Sequence, residues 1–459
     1  MPAFPRFMIS AAHKSSGKTV VSTGLAAALR AAGDDIRTFK KGPDYIDPMW
    51  LAAASGRPCY NLDFNTQARD AIAPFLASRA GGLNLVEANK GLHDGMQADG
   101  SDSNAELAKL LGLPVVLVID TSGMTRGIAP LLTGYRAFDR DVNIAGLILN
   151  RVAGARHEGK LRAAVETYCD IPLIGSVWRN PRLDIGERHL GLTTPAETGG
   201  MEQMIEGFAE VMAQSVDLDR LRALAATAPA LDLPPAAAPP APRWPGLRIG
   251  ILRDAAFGFY YPDDLEAIEA EGAILVPIDA TCNPDLPDID GLFIGGGFPE
   301  MRMRELAANT GLRGAILAAL RAGLPAYAEC GGLMYLCETL EWQGEVAPMV
   351  GLIPATARMH ERAKGRGYVA FESTDACPWQ VRRHVPVKAH EFHYASVEGL
   401  PADTVFARHM RRGTGTDGTH DGIVIANTVA GFCHLRNTVA VPWVPAFLDF
   451  VDKVKSGRK

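Results

Sequence analysis

The sequence predicts an α/β protein with two doubly wound domains, and three observations support that fold class. Apolar runs such as LNLVEA, LPVVLVID and NIAGLILN in the first half alternate with segments of helical spacing. LRIGILRD, DGLFIGGG and LPAYAE do the same in the second half, and continuous apolar runs are typical of parallel strands buried on both faces. Between the halves, the Pro/Ala-rich residues 224–246 cannot continue a helix or a sheet interior. We therefore predict domains at residues 1–223 and 247–459, joined by an extended linker at 224–246.

Length and composition exclude several classes of function. The 459 residues suffice for two or three hydrophobic cores, and a net charge of −6 without a basic stripe argues against nucleic-acid binding. The N-terminal segment MPAFPRFMISAAH has one arginine and too short an apolar stretch for a secretory signal, and no apolar run is long enough to cross a bilayer. Seven scattered cysteines without a C-x-x-C pair argue against a zinc site or a disulfide framework. We expect a cytoplasmic protein that binds neither nucleic acid nor membranes.

The first motif, AHKSSGKT at residues 12–19, lies between a strand-like FMIS and a helix-like VVSTGLAAALRAAG. It matches the P-loop pattern G-x-x-x-x-G-K-[ST], except that Ala12 replaces the first glycine. In such a loop the backbone N–H groups cradle phosphates, the lysine reaches the outer phosphates and the final hydroxyl binds Mg²⁺. The alternative is an ordinary strand-to-helix turn with a serine cap. The pattern predicts an ATP site that contains Ser15, Ser16, Gly17, Lys18 and Thr19.

Charged side chains stand where two further strands of this half should end. FKKGPDYIDP places Lys40, Lys41, Asp44 and Asp47 after one strand, and LVEANKGLHDG places Glu87 at the end of another. The carboxyl ends of parallel strands share one crevice with the P-loop, so we expect the carboxylates to hold Mg²⁺ and Lys41 to contact phosphate. The candidate Mg²⁺ ligands are Thr19, Asp44, Asp47 and Glu87.

Each of these carboxylates, taken alone, is an ordinary turn-former or helix cap, and only the neighbouring P-loop favours a metal site. Asn150, at the end of NIAGLILNR, is predicted to contact the adenine edge of the nucleotide from the same crevice. Asparagine also ends many strands without a functional role.

The second half contains a different chemistry. In GLPAYAECGGLMYL an apolar strand runs into Cys330, two glycines and a helical pattern, which is the layout of a nucleophile elbow. A helix N-terminus behind the cysteine favours its thiolate. His434, in VAGFCHLRN, is the candidate base. GLFIGGGFPE offers the N–H groups of Gly295, Gly296 and Gly297 to an oxyanion, and Gly296 and Gly297 are the candidates. The alternatives are a buried structural cysteine and a core histidine.

Taken together, AHKSSGKT, FKKGPDYIDP and VEANKGLHDG, followed by AECGG and GFCHL, resemble the cobyrinic or hydrogenobyrinic acid a,c-diamide synthase family of corrinoid biosynthesis. The resemblance covers nearly the whole chain. It implies a dethiobiotin-synthetase-like P-loop domain followed by a flavodoxin-like class I glutaminase domain. It also implies an ATP- and Mg²⁺-dependent ligase that amidates the a and c carboxylates of a corrin acid through acyl phosphates, with ammonia from L-glutamine. By the same resemblance, Cys330 is the glutaminase nucleophile and His434 its base.

Two features depart from the family pattern. Relatives place a second histidine two residues after the first, but this chain has Arg436 there, and no acidic residue at that position completes a triad. We therefore expect a Cys330–His434 pair whose orienting group the sequence does not identify.

Donors for a polycarboxylate substrate are expected in ARMHERAKGRGYVAFE and VKAHEFHYASVEG, although a solvated strand face has the same composition. The candidate substrate residues are Asp94, Arg358, His390 and His393.

Two other hypotheses stay open. A sister enzyme of the cobyric acid synthase type, or an amidoligase for another tetrapyrrole, would share both domain types. A nucleotide-switch P-loop ATPase with an inactive glutaminase domain is the alternative from a different class, and His13 argues against it because such ATPases place a lysine there. The sequence leaves open whether the corrin contains cobalt and in which order its carboxylates are amidated, and it is compatible with a homodimer.

Overall fold

The computed structural model describes residues 4–188, 191–195, 198–235, 241–382 and 385–457. The chain divides into two compact units, Met1–Ala236 and Ala237–Lys459. No helix among the described residues is long and apolar enough to cross a membrane.

The first unit is built from strands that alternate with helices. Its strands are β1 (Arg6–Ala11), β2 (Ile36–Lys41), β3 (Cys59–Leu62), β4 (Leu83–Glu87), β5 (Val115–Asp120), β6 (Ile144–Val152), β7 (Leu173–Trp178) and the short pair β8 (Glu187–Arg188) and β9 (Gly191–Leu192). Its helices are α1 (Lys18–Ala31), α2 (Ile46–Ser55), α3 (Arg69–Ser78), α4 (Asn104–Leu110), α5 (Ile128–Phe138), α6 (Ala155–Tyr168), α7 (Met201–Ser215) and α8 (Leu218–Ala225).

Seven of these strands form one wholly parallel sheet in the order β3-β2-β4-β1-β5-β6-β7. Successive residues of β1 face opposite sides, so Phe7 and Ile9 enter one core cluster and Met8 enters another. Both faces of the sheet are therefore covered, as the continuous apolar runs predict. The P-loop, Lys41 and Glu87 all lie at the carboxyl ends of these strands.

The second unit has more strands than helices. Its strands are β10 (Arg248–Leu252), β11 (Phe257–Phe259), β12 (Ile274–Ile278), β13 (Gly291–Ile294), β14 (Gly296–Gly297), β15 (Ala326–Glu329), β16 (Cys337–Trp342), β17 (Glu345–Pro348), β18 (Ile353–Met359), β19 (Gly365–Ser373), β20 (Val387–His393), β21 (Ala395–Glu398), β22 (Phe406–Arg412), β23 (His420–Ile425) and β24 (Thr428–Gly431). Its helices are α9 (Pro262–Ala270), α10 (Met303–Ala308), α11 (Thr310–Arg321), α12 (Gly331–Leu336) and α13 (Trp443–Gly457).

The main sheet of this unit is only partly parallel. Its order is β12-β10-β13-β15-β24-β23-β22-β19-β20, and the first five strands are parallel in the flavodoxin-like order. The other four are antiparallel, whereas the sequence predicts parallel strands throughout this half. The reason is local, because β23 and β24 are joined by a tight turn at residues 426–427 that leaves no room for a crossover helix. The α/β fold class itself is confirmed.

Both ends of the predicted linker pack against the unit beside them. Helix α8 ends at Ala225, inside the predicted linker, and the buried Arg6 donates to the carbonyl groups of Leu111 and Pro229. At the other end, the Trp244 N–H donates to the Glu271 carbonyl at 2.9 Å. Residues 236–240 of the predicted linker lie outside the described residues, and the limits at 224 and 246 stay predictions.

Gly332 tests the packing beneath the start of α12. A Cβ at Gly332 would lie 2.5 Å from the Ile294 carbonyl oxygen, which belongs to the neighbouring β13 and cannot move away. We expect Gly332→Ala to lower the free energy of unfolding by about 1–3 kcal/mol, measured by thermal unfolding of the intact chain. Gly314→Ala in α11 is the control because nothing lies within 4 Å of its Cβ position. It should stabilise by up to about 1 kcal/mol, and equal melting of both variants would contradict the packing argument.

Candidate active sites

The turn between β1 and α1 has the backbone of a phosphate cradle. Gly17 precedes the helix in a left-handed conformation with φ 82°, and no side chain of the described residues caps α1. A Cβ at Gly17 would lie 2.4 Å from Asn150 Nδ2, so both the backbone angle and the space require glycine. Lys18 is buried, and its Nζ lies 3.4 Å from the His13 carbonyl oxygen. The start of α1, which has no side-chain cap among the described residues, is therefore suited to an anion.

Side chains from other elements hold this loop in place. Asn150 Nδ2 donates to the Ser16 carbonyl at 2.9 Å, and the Tyr135 hydroxyl donates to the Ala12 carbonyl at 2.5 Å. Arg151 Nη1 donates to the Ser15 carbonyl at 3.1 Å. The structure thus places Asn150 against the P-loop itself, where it orients the loop backbone. Its contact with adenine stays a prediction.

Lys40, which the sequence analysis did not assign to the site, lies among the carboxylates. Its Nζ lies 2.5 Å from Asp47 Oδ2 and 2.6 Å from Glu87 Oε1. Lys41, the predicted phosphate contact, has its Nζ 6.0 Å from the ring centroid of Phe64. Neighbouring residues of a strand point to opposite faces, so only one of two adjacent lysines can enter the cluster. The structure selects Lys40.

Thr19 and the carboxylates form the rest of this cluster. Thr19 Oγ1 donates to Glu87 Oε1 at 3.1 Å, and its side chain also lies beside Asp47. Glu87 Oε2 is buried without a hydrogen-bond partner among the described residues. Asp44 Oδ1 accepts the backbone N–H groups of Ile46 at 2.9 Å and Asp47 at 3.2 Å, so it holds the turn that leads into α2. No group of three His, Cys, Asp or Glu side chains in the described part of the chain is arranged to hold a metal.

Burial and mutual repulsion shift the pKa values of this cluster. Burial and the nearby Lys40 charge lower the pKa of Lys18 to about 8. Burial and the Asp47 charge raise the pKa of Asp44 to about 7, and burial raises the pKa of Glu87. Burial opposes the charge of Lys40, but Asp47 and Glu87 outweigh it and raise the pKa of Lys40. The cluster therefore carries an ionised Lys40 near neutral pH.

Asp94, a predicted substrate residue, lies beside the P-loop. Its Oδ2 accepts the Gly91 N–H at 2.9 Å, and a Cβ at Gly91 would lie 2.6 Å from the Ala12 carbonyl oxygen. The nearby Asp94 charge also acts to raise the pKa of Lys18. The side chain is exposed, so it remains accessible to a substrate.

In the second unit, Cys330 stands on the predicted strand-to-helix turn. It joins β15 to α12 with φ 49° and ψ −102°, a conformation that L residues rarely adopt. Its N–H donates to the Gly431 carbonyl at 2.7 Å, and its Sγ lies 3.9 Å from the Phe392 carbonyl oxygen. Strain of this kind is concentrated at functional sites, and here it fixes the thiol at the end of a strand.

His434 faces the cysteine from the segment after β24. Its Nδ1 lies 3.3 Å from Glu329 Oε2, and both side chains are buried. Burial lowers the pKa of His434, but hydrogen bonds with Cys330 and Glu329 outweigh burial and raise it to about 10. The imidazole is therefore charged near neutral pH, which suits a thiolate beside it.

The glycine turn after β13 adjoins this pair. The Gly295 N–H donates to the Tyr260 hydroxyl at 2.9 Å and is therefore occupied. A Cβ at Gly296 would lie 2.7 Å from His434 Cε1, which places Gly296 directly against the imidazole. The geometry thus favours Gly296 and Gly297 over Gly295 as donors to an oxyanion, and that role stays a prediction.

The two glycines after Cys330 have a packing role that the sequence analysis did not identify. A Cβ at Gly331 would lie 3.0 Å from the Gly297 nitrogen, and one at Gly332 would lie 2.5 Å from the Ile294 carbonyl oxygen. The space that these glycines leave is filled by the backbone of β13 and β14. They bring α12 close to the glycine turn, which in turn brings Cys330 close to Gly297.

His390, a predicted substrate residue, instead packs on His434. The two rings stack with centroids 4.8 Å apart, and His390 Nδ1 lies 3.3 Å from the Tyr261 hydroxyl. Burial lowers the pKa of His390, and the charges of His434 and Arg436 lower it further. Arg436 is also buried, and its Nε donates to Asp263 Oδ2 at 3.0 Å. Both residues therefore support the His434 segment.

The other predicted substrate residues have partners inside the protein. His393 is buried and stacks on Phe432 with ring centroids 3.8 Å apart. Arg358 is partly exposed, and it forms ion pairs with Glu341 at 3.0 Å and Glu398 at 3.1 Å. The burial of His390 and His393 does not fit direct contact with a large substrate. Two carboxylates already balance the charge of Arg358.

Comparison with known proteins agrees with this geometry. Residues 7–192 match the family model described as a CobQ/CobB/MinD/ParA nucleotide binding domain, and residues 248–438 match a CobB/CobQ-like glutamine amidotransferase domain. A Magnetococcus marinus protein named cobyrinate a,c-diamide synthase is 44% identical over 453 residues, which are 97% of this chain and 97% of that protein. The chain belongs to the cobyrinate a,c-diamide synthase family. Proteins of the same name from Methanosarcina acetivorans and Archaeoglobus fulgidus are 36% and 38% identical, over 99% and 94% of this chain and 97% and 94% of theirs.

For this cobyrinate a,c-diamide synthase family member, the sequence analysis missed two residues of the sites. Lys40 carried a signal, since it precedes the predicted phosphate contact, but the pattern does not show which lysine faces the crevice. Glu329 immediately precedes Cys330 and lies in contact with His434, which is 105 residues further along the chain. Only the fold brings these two residues together.

His434→Ala tests the charged imidazole of this family member. In the wild type the imidazolium should stabilise the Cys330 thiolate, and the stability that this contact contributes is present below about pH 6.5 and lost as the pH rises through about 10. We expect the variant to slow alkylation of Cys330 by iodoacetamide at neutral pH at least about tenfold. His360→Ala, which removes a ring bonded to Ser396, is the control and should react normally. Wild-type alkylation in His434→Ala would contradict the assignment.

Proposed function

We propose that this chain catalyses ATP-dependent, glutamine-hydrolysing amidation of the a and c carboxylates of a corrin acid. The observation that supports it best is the presence in one chain of two different candidate sites. The first unit has a P-loop beside buried carboxylates, and the second has a cysteine on a strained turn in contact with a histidine. The relatives are named cobyrinate a,c-diamide synthase, which suggests the substrate.

The first unit would activate the carboxylate. Ammonia does not displace oxide from a carboxylate, because oxide is a poor leaving group. A substrate carboxylate oxygen therefore takes the γ-phosphoryl group of ATP, ADP leaves, and ammonia then displaces inorganic phosphate from the acyl phosphate. Positioning and charge neutralisation account for most of such a rate enhancement. Lys18, which now contacts the His13 carbonyl, and the N–H groups at the start of α1 supply positive charge at the phosphates.

The residues beside the P-loop fit Mg²⁺. Mg²⁺ in nucleotide enzymes uses one or two protein oxygens together with phosphates and water, and when bound it neutralises phosphate charge. Glu87 Oε2, which is buried without a partner among the described residues, and the Thr19 hydroxyl beside it would supply those oxygens. Asp47 is a third candidate, whereas Asp44 Oδ1 already accepts the backbone N–H groups of Ile46 and Asp47. Lys40 would keep the carboxylates paired in the absence of nucleotide.

The second unit would release the ammonia. The Cys330 thiolate attacks the side-chain carbonyl carbon of glutamine, and the tetrahedral oxyanion is stabilised by the N–H groups of Gly296 and Gly297. The C–N bond then breaks, and the His434 imidazolium gives its proton to the departing nitrogen. Water then attacks the glutamyl thioester while His434 accepts its proton, which releases glutamate and restores the Cys330 thiolate beside the His434 imidazolium.

Cys330→Ser separates the two activities. We expect the variant to lose glutamine-dependent amidation and to keep synthesis from added ammonium, because the first unit does not need the thiol. Mass spectrometry of the corrin product should show two added amides in the wild type. Four added amides would indicate a cobyric acid synthase-type enzyme, and none would contradict the proposed function. Equal loss with both nitrogen sources would contradict the division of labour between the units.

Glu87→Gln tests the proposed Mg²⁺ site. Removing the charge should weaken synthesis with either nitrogen source by about tenfold to a hundredfold and raise the Mg²⁺ concentration needed for half-maximal rate. Glutamate release from glutamine should be unaffected. Glu106→Gln, which changes a carboxylate in a surface ion pair with Lys109, is the control. A normal Mg²⁺ dependence in Glu87→Gln would show that Glu87 only pairs with Lys40.

A further inference from the structure

The Cys330–His434 pair lies at the end of a buried chain of hydrogen bonds that the mechanism above does not use. Glu329 Oε1 accepts the Tyr327 hydroxyl at 2.5 Å and the Leu435 N–H at 2.8 Å. Its other oxygen, Oε2, lies 3.3 Å from His434 Nδ1. Glu329 and Tyr327 are both buried. The carboxylate is thus held from one side and faces the imidazole with the other.

Arg408 continues the chain away from the site. Its Nη2 contacts the Tyr327 hydroxyl at 3.2 Å, and its Nη1 forms a buried ion pair with Asp421 at 3.0 Å. Asp421 accepts the Phe432 N–H at 2.8 Å, so the chain returns to the backbone that carries His434. A glycine is required there, because a Cβ at Gly431 would lie 2.4 Å from Asp421 Oδ2.

The donors in this series of hydrogen bonds determine which atom holds each proton. A guanidinium only donates, so the Tyr327 hydroxyl accepts from Arg408 and must give its own proton to Glu329 Oε1. The Leu435 N–H also only donates to that oxygen. Both donors point at Oε1, which leaves Oε2 as an acceptor for the proton on His434 Nδ1. Nε2 of the imidazole is then the nitrogen that exchanges a proton with Cys330.

We propose that Glu329 is the positioning residue that orients His434, and that Tyr327 and Arg408 hold the Glu329 carboxylate in place. This proposal rests on the proposed glutaminase activity of the second unit. It supplies the orienting group that an acidic residue after the histidine would otherwise provide. An anion at Nδ1 selects the tautomer and stabilises the imidazolium that forms when Cys330 loses its proton.

Other charged or titratable groups also face His434, and none of them can take this role in the structure. His390 stacks on the imidazole with an angle of 14° between the rings, so it contacts the ring face and not Nδ1. Cys330 is the reacting group. Arg436 is a cation paired with Asp263, and a guanidinium cannot accept the proton of Nδ1. Glu329 is the group that the structure places at Nδ1.

Glu329→Gln is the first test. The amide keeps the size of the side chain and an acceptor for Leu435, but it removes the charge at Nδ1. We expect kcat for glutamate release to fall at least about tenfold with KM for glutamine nearly unchanged. The pH profile of Cys330 alkylation by iodoacetamide should shift to higher pH, because the imidazolium is less stable. Synthesis from ammonium should be retained, which shows that the protein is folded.

Tyr327→Phe is the second test and decides the matter if Glu329→Gln does not fold. Phenylalanine keeps the ring that stacks on Phe293 and removes only the hydroxyl that donates to Glu329. Tyr335→Phe is the matched control, because Tyr335 is a buried tyrosine of the same unit whose hydroxyl has no hydrogen-bond partner among the described residues. We expect a lower kcat for glutamate release and a shifted alkylation profile in Tyr327→Phe only.

The outcomes distinguish this proposal from the proposed function. If the wild type does not release glutamate from glutamine, the proposed function fails before any variant is compared. If the wild type is active and folded Glu329→Gln keeps its kcat and its alkylation profile, Glu329 does not orient His434. The same conclusion follows if Tyr327→Phe and Tyr335→Phe behave alike. A lower kcat without a shifted alkylation profile would assign Glu329 a merely structural role and overturn the proposal.

Discussion

The contact between Glu329 and His434 is the interaction on which the second unit depends. Both groups are buried, and leaving either without its partner would cost several kcal/mol in an interior of low dielectric. Donors from β15, β22 and the segment after β24 form the hydrogen bonds that offset this cost. By the proposed role of Glu329, the same contact orients the imidazole that faces Cys330. Stability and chemistry in this unit therefore rely on one buried pair.

The first unit also holds charged side chains away from solvent, and there a lysine pairs with them. Asp47 and Glu87 lie beside the P-loop with little exposure to solvent, where a charged group without a partner is costly. Lys40 pairs with Asp47 and Glu87 at 2.5 and 2.6 Å and so balances their charge within the protein. One oxygen of Glu87 nevertheless stays without a hydrogen-bond partner among the described residues. A buried acceptor without a donor is costly, and we interpret it as an oxygen reserved for a ligand.

Much of this arrangement could be predicted from the sequence, because local patterns determine it. Apolar runs indicate parallel strands, and AHKSSGKT and AECGG mark two strand-to-helix turns that the structure contains. Two kinds of feature could not be predicted. One is which of two adjacent strand residues faces the crevice, and the other is a contact between residues far apart in the sequence. A strand pattern does not reveal whether Lys40 or Lys41 faces the crevice, and nothing near His434 in sequence points to Glu329. The antiparallel half of the second sheet likewise arises from tight turns, which the apolar runs do not encode.

The protonation state of His434 can be measured directly, and it tests whether Glu329 and Cys330 hold this side chain as a charged imidazolium. In ¹⁵N-histidine-labelled wild-type protein at about pH 8, the His434 signals are those absent from a His434→Ala sample. We predict that both ring nitrogens carry protons at that pH, because hydrogen bonds with Cys330 and Glu329 outweigh burial and raise the pKa of His434 to about 10. A neutral ring that titrates near the ordinary histidine pKa of about 6.5 would contradict it.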